Sequence, residues 1–343
     1  MEKEHIAVVV KNAGSHYELS ELPAWELFPA VLRGKIRLKA STITNPVAVG
    51  DRVRYEPAAT GNAAVTGQAA TGKAAGVGKD AAAGKAGAKG APGDAAVITE
   101  VLPRKNYVIR RSTNLSRQAH IIAANIDRAF LVVSLYFPEL KLPFLDRILV
   151  TCEVYGIPVT IVLSKTDLYR EPAQEEIDRF RAIYEKAGYP VIETSVRTGE
   201  GIDALREACR DRINLFSGES GVGKSSLIKA LDPTLDPKIG TISTAHLQGR
   251  HTTSLYEMYP LGSGGWVIDS PGLRGFGLVD LEKEEIARYF PEMLRAAQHC
   301  RFTPCTHTHE PGCAVKDAVE AGLIAPERYN SYLGMLEEDK KFR

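Results

Sequence analysis

Two hydrophobic rhythms divide this chain. In residues 1–112 short apolar stretches are separated by polar, glycine-bearing turns, at 6–10, 16–19, 28–38, 51–55, and 96–101 running on through 107–111. Strands punctuated this way predict a small β-barrel, of the oligonucleotide-binding (OB) type or another closed form of similar length. From about Ile126 strands and helices alternate. Apolar strands at 129–134, 158–163 and 190–194 interleave with helices at 143–155, 173–187 and 202–209, and a strand from Asn214 opens into a glycine-rich loop and helix. Such alternation predicts a parallel sheet with helices on both faces and ligands beyond the strand C-termini. From about Leu281 the pattern is helical around a group of cysteines. The expected fold is multidomain α/β, with a barrel over 1–112, an α/β domain over 113–280 and a helical metal-binding domain over 281–343.

The tract from about residue 58 to 94 fits neither rhythm. It is built almost wholly from Ala, Gly, Thr and Lys, with no aromatic residue. That composition buries too little surface to offset the entropy of ordering, so a solvated insertion between two strands is expected. Lys73, Lys79, Lys85 and Lys89 also suit a flexible arm touching RNA phosphates. Over all 343 residues, 25% are charged and the formal net charge is +1, so any RNA-binding surface has to be local. The chain has no apolar run of the roughly eighteen residues a membrane span needs, and no signal-type hydrophobic region at its start. A cytoplasmic monomer without membrane association is expected.

The glycine-rich loop carries the chemistry. Gly218-Glu219-Ser220-Gly221-Val222-Gly223-Lys224-Ser225 follows a strand and opens a helix through Ser226, the context in which this spacing binds phosphate. Loop amides would cradle the β-phosphate, Lys224 would reach the β- and γ-oxygens, and Ser225 would ligate Mg²⁺. Four other segments converge on the same ligand. Ser164-Lys165-Thr166-Asp167 ends an apolar strand. There Asp167 would accept hydrogen bonds from guanine N1 and N2, and the Lys165 stem would lie over the base. Glu193-Thr194-Ser195-Val196 would present backbone amides to guanine O6. Asp269, in Asp269-Ser270-Pro271-Gly272, would hold Mg²⁺ through water, while the Gly272 amide meets the γ-phosphate. Thr252 and Thr253 would supply switch-type hydroxyls to Mg²⁺ and the γ-phosphate. The base-reading segment precedes the phosphate loop, as in a GTPase whose elements are circularly permuted.

Two positions depart from the usual GTPase pattern. The base-reading motif ordinarily begins with Asn, whose amide ties neighbouring loops together; Ser164 keeps only a hydroxyl there, so lower nucleotide affinity is expected. Leu273 stands where Ras-like enzymes place a water-orienting Gln. His251 is the candidate to replace it, and catalysis otherwise rests on positioning and on charge neutralisation by Lys224 and Mg²⁺.

Cys300-x4-Cys305-x-His307-x5-Cys313 offers three thiolates and an imidazole, the donor set of a closed structural zinc site. His299 and His309 leave the histidine ligand open, with His307 favoured. Cys152 and Cys209 lie apart, in patterns that suggest packed thiols.

Barrel, permuted GTPase and cysteine knuckle, in that order, resemble the ribosome small-subunit-dependent GTPases of bacteria, the RsgA/YjeQ type. The resemblance rests most on Gly249-Arg250-His251-Thr252-Thr253, on Asp269-Ser270-Pro271-Gly272-Leu273-Arg274-Gly275-Phe276, and on Cys305-Thr306-His307-Thr308-His309-Glu310-Pro311-Gly312-Cys313. It spans the chain apart from the Ala/Gly-rich tract. It implies an OB barrel, GTP and GDP with Mg²⁺, one structural Zn²⁺, and His251 as the water-positioning group. It also implies late maturation of the small ribosomal subunit, contact with its rRNA near the decoding region, and subunit-stimulated GTP hydrolysis that drives release. On the barrel, Arg33, Lys35, Arg37 and Lys39 alternate along one strand, and Arg104, Lys105, Arg110 and Arg111 flank another; both sets suit phosphate contacts. A non-enzymatic module that nucleotide merely locks is the competing expectation, kept open by Leu273. A permuted GTPase of the large subunit would not predict this barrel and knuckle.

Overall fold

The structure, a computed structural model, describes residues 4–34, 46–58, 95–111, 119–235, 257–269 and 281–338. The Ala/Gly-rich tract lies outside the described residues but for Ala58 at its edge.

The N-terminal strands are β1 (Ile6–Ala13), β2 (His16–Ser20), β3 (Phe28–Leu32), β4 (Arg52–Glu56) and β5 (Ala96–Val101). They pair in the closed order 1-2-3-5-4-1, with β3 and β5 parallel and the other pairs antiparallel. That closure is the barrel of the OB class. Val9, Leu19, Ala30, Val53 and Ile98 fill it. β1 serves two cores at once: Ala7 and Val9 face the barrel, while Val8 and Val10 face the central domain. This is why residues 6–10 read as an unbroken apolar run rather than an alternation.

The strand expected over 96–111 is in fact two, and only the first belongs to the barrel. β6 (Tyr107–Arg111) pairs with β7 (Ala119–Ala124) in a separate antiparallel ribbon. Its Val108 and Ile122 join the central core, and buried Asn106 clamps the Ile126 backbone, accepting from its N–H at 2.7 Å and donating to its carbonyl at 2.8 Å. β3 ends at Leu32 rather than at 38, and residues 35–45 are outside the described set.

The central sheet runs β10 (Val191–Glu193), β9 (Val159–Leu163), β8 (Arg128–Val133), β11 (Ile213–Gly218), β13 (Trp266–Asp269), all parallel, then antiparallel β12 (Glu257–Pro260). Successive side chains of β8 point to opposite faces, so two cores form. Leu131 packs with α1 (Leu142–Val154) and α2 (Arg170–Ala187). Phe130 and Val132 pack with α3 (Ile202–Cys209) and α4 (Lys224–Leu231). α2 begins three residues before the expected 173, with a break in helical geometry at Ala173. β12 had no counterpart among the expected strands.

At its far edge β12 meets the barrel. A bulge between Val9 and Lys11 redirects β1, and Lys11 then stands opposite Glu257. Their side chains form an ion pair at 3.2 Å. Barrel and central domain thus share one sheet, and Glu257 lies in register with both Lys11 and Asp269.

The C-terminal lobe comprises α5 (Lys283–Ile286), α6 (Pro291–Ala297), α7 (Ala314–Glu320) and α8 (Pro326–Glu338). Its core of Phe290, Met293, Val315, Ile324 and Tyr332 extends to Val150 of α1.

Candidate guanine-nucleotide site and metal centre

The sheet order places the C-terminal ends of β9, β10, β11 and β13 side by side, so segments far apart in sequence meet along one edge. β11 ends at Gly218, where a Cβ would lie 2.5 Å from the Val132 carbonyl of β8. The loop then turns through Gly221 and Gly223 at φ of +86° and +95°, conformations that L side chains rarely adopt. Lys224, buried, starts α4 directly behind it. Gly218→Ala must push main chain against main chain, so a loss of about 1–3 kcal/mol is expected in thermal or urea unfolding. Weakened GDP binding should accompany it.

The base-reading turn is braced against that loop. Lys165 adopts left-handed geometry at φ 59°, and its ammonium donates to Gly221 O at 2.6 Å and Phe137 O at 2.9 Å. Ser164 Oγ is 2.6 Å from Val222 O and 2.9 Å from Val133 O, and its one proton serves either. The hydroxyl therefore does tie the base-reading turn to the phosphate loop, contrary to what loss of the Asn amide suggested. Thr166, buried, directs both its N–H and its hydroxyl to Thr194 O at 3.2 Å, joining the turns after β9 and β10.

Asp167 has both carboxylate oxygens engaged. Ser195 Oγ donates to Oδ1 at 2.6 Å, and Arg197 Nε pairs with Oδ2 at 2.9 Å. The amides expected to face guanine O6 are partly committed elsewhere. Thr194 N–H donates to Leu163 O and Ser195 N–H to Glu200 O, so Val196 is the position of this turn left for that contact. Ser164, Lys165, Asp167, Leu168, Val196, Arg197, Val222, Gly223, Ser226 and Leu227 line a cavity of about 310 Å³ beside the phosphate loop. That volume lies at the lower end of the range for ligand sites and accommodates a purine. Arg197 and Leu168 were not foreseen; neither position belongs to a signature, and only adjacency to Val196 and Asp167 pointed to them.

Asp269 ends β13 opposite Phe216 of β11, next to the strand that leads into the phosphate loop. His251, Thr252, Thr253, Gly272 and Leu273 lie outside the described residues.

In the C-terminal lobe, Cys300, Cys305, His307 and Cys313 bring their ligand atoms within 4.8 Å of one another. His307 Nδ1 is 3.4 Å from Cys313 Sγ, which is 4.0 Å from Cys300 Sγ. Zn–S bonds of about 2.3 Å in a tetrahedron require sulfur separations near 3.7 Å, so the cluster fits zinc. Burial pushes the Cys305 thiol up to about 12 and lowers the pKa of His307, leaving a neutral imidazole as metal ligation requires. His299 and His309 are exposed and stand apart from the cluster. The turn is held from outside: Glu310 accepts from Thr306 and Thr308 amides, and Tyr332 donates to Thr306 O at 2.6 Å.

The barrel cations divide. Arg104 pairs with buried Asp51 at 2.6 Å and is structural, which removes it from the RNA-facing set. Arg33 pairs with Glu56 and Lys105 with Asp127, both pairs partly exposed. Lys35, Arg37 and Lys39 lie outside the described residues.

A phosphate loop between a central parallel strand and the helix that follows it, with the base-reading turn braced against it from an earlier part of the chain, defines a circularly permuted P-loop GTPase. Residues 101–279 match the model of the RsgA GTPase family. A curated small ribosomal subunit biogenesis GTPase RsgA from Bacteroides fragilis is 43% identical over 98% of both chains. The solved YjeQ from Thermotoga maritima superposes with a TM-score of 0.73 at 31% identity, covering 98% of each chain. YloQ, described as a circularly permuted GTPase, shares the fold at a TM-score of 0.70 and 24% identity, over 100% of this chain and 97% of its own. The chain belongs to the RsgA GTPase family.

Proposed function

We propose that this protein hydrolyses GTP in the late maturation of the small ribosomal subunit, which it binds through rRNA and leaves after hydrolysis. The observation that carries it is a permuted nucleotide site continuous with an OB barrel, in a chain matched end to end by relatives named for small-subunit biogenesis. Asp167 reads guanine, Lys165 and Ser164 hold the phosphate loop in place, and Lys224 neutralises charge on the β- and γ-phosphates. Ser225, Thr252 and, through water, Asp269 would hold Mg²⁺, which would supply further neutralisation of charge on the β- and γ-phosphates. Thr252 and Thr253 supply hydroxyls and Gly272 an amide to the γ-phosphate, and His251 orients the attacking water. Zn²⁺ at Cys300, Cys305, His307 and Cys313 is structural. The protein works as a cytoplasmic monomer.

The shared sheet gives the subunit a route to the site, because the barrel reaches Glu257, which lies beside Asp269 in register. Hydrolysis measured alone, with small subunits and with large subunits should show strong stimulation by small subunits only, specific for GTP over ATP and abolished by Lys224→Ala. Tight GTP binding without stimulation by either subunit would instead mark a nucleotide-locked binding module.

A further inference from the structure

Asp167 is nearly buried, its side chain 8% exposed, whereas its ion-pair partner Arg197 is 74% exposed. The partner thus has room to leave while the carboxylate stays. The turn that carries Arg197 is fixed. Ser195 N–H donates to Glu200 O at 3.0 Å, Thr198 N–H donates to Ser195 Oγ at 3.2 Å, and Arg170 pairs with both Glu193 and Glu200. At Gly201 a Cβ would lie 1.8 Å from Glu193 O, which packs the end of the turn against β10. The side chain of Arg197 is therefore the movable part of an otherwise braced loop, and it borders the same cavity as Asp167.

A guanine edge and a guanidinium present the same kind of surface to a carboxylate, adjacent N–H donors in a plane. The two N–H donors of a guanine edge use both oxygens, and at Oδ2 they meet Arg197 as a rival donor, while Ser195 holds Oδ1. We propose that Arg197 is a latch on the base-reading carboxylate: it competes with guanine for Asp167, lowers affinity for guanine nucleotides, and speeds their release by recapturing Oδ2. Resting on the reading of Asp167 as the guanine-reading group, this assigns Arg197 a part in nucleotide exchange.

The test measures equilibrium binding and dissociation of GDP and of xanthosine diphosphate (XDP) by the full-length protein, Arg197→Ala, Asp167→Asn and the double variant. A pair with one exposed partner gives a modest effect. Arg197→Ala should bind GDP about two- to fivefold tighter, with correspondingly slower release. Raising salt from about 0.1 M to about 1 M should shrink that difference, because screening loosens the latch in the unmodified protein. Asp167→Asn should exchange GDP for XDP, since an amide donates where xanthine offers a carbonyl. In that background there is no carboxylate to latch, so adding Arg197→Ala should leave XDP affinity unchanged. If Asp167→Asn switches the base but Arg197→Ala leaves GDP binding unchanged or weaker, the latch is wrong and the base reading stands. If Asp167→Asn still prefers GDP, the base reading fails and the latch fails with it.

Discussion

Zinc removal should unfold the C-terminal lobe while the central domain persists. Three of the lobe's four α-helices span seven residues or fewer and its core is small, so it depends on a cross-link in the way small metal-bound modules do. Structural zinc in such modules contributes about 10–16 kcal/mol at neutral pH. The four ligands join the strand-free stretch between α6 and α7, and Tyr329 and Tyr332 of α8 donate to the carbonyls of His307 and Thr306. Losing the metal therefore releases α8 along with the ligand loop. The expected results are one zinc per chain by elemental analysis, and loss of both zinc and protease resistance over 281–338 in Cys313→Ala. Cys152→Ala, which removes a buried thiol in the central core, should keep its zinc. Loading should weaken as pH falls, because each thiol surrenders a proton to bind and acid restores it.

The grouping of the candidate segments was legible because phosphate and base chemistry dictate both residue type and position at strand ends. Asp167, Val196 and Gly223, from three such ends, border one cavity where strand–helix alternation placed them. Longer-range geometry was not legible. β12 is four residues long, too short to show a period, and β7 is a ribbon strand rich in alanine; neither pattern discloses its pairing with β13 and β1 or with β6. β1 reads as a single apolar strand, and nothing local discloses that its two faces serve different cores. Ser164 shows the limit in the other direction: a substitution that looked like loss of a loop tie keeps one, because Val222 O comes within 2.6 Å of the hydroxyl. Charged residues misled for the same reason, since Arg104 resembles a surface cation until Asp51 is placed beneath it.

Arg328→Met should destabilise the junction between the lobe and the central domain by about 3–5 kcal/mol in urea unfolding. Arg328 is 1% exposed and spans four helices. Its Nε donates to Glu292 of α6 at 2.7 Å, another nitrogen donates to Asp146 of α1 at 2.7 Å, and Phe290 lies 4.5 Å beneath the guanidinium carbon. Tyr184 of α2 donates to the same Asp146 oxygen at 2.9 Å. Removing the cation leaves two carboxylates buried without a counter-charge, and that penalty, rather than the worth of the pairs, sets the size of the effect. Lys in place of Arg should not rescue, since a point charge cannot bridge Glu292 and Asp146 together. Burial already pushes the Asp146 pKa up while Arg328 holds it down. Without Arg328 it rises further above its unfolded value, so protonation stabilises the variant below that value, and this is lost as pH rises through the folded one. The deficit should thus be largest at neutral pH and narrow on acidification. Adding Asp146→Asn and Glu292→Gln to Arg328→Met removes the orphaned charges and should recover most of the stability. Failure to recover would place the junction's strength in the geometry of the ion pairs rather than in neutrality alone.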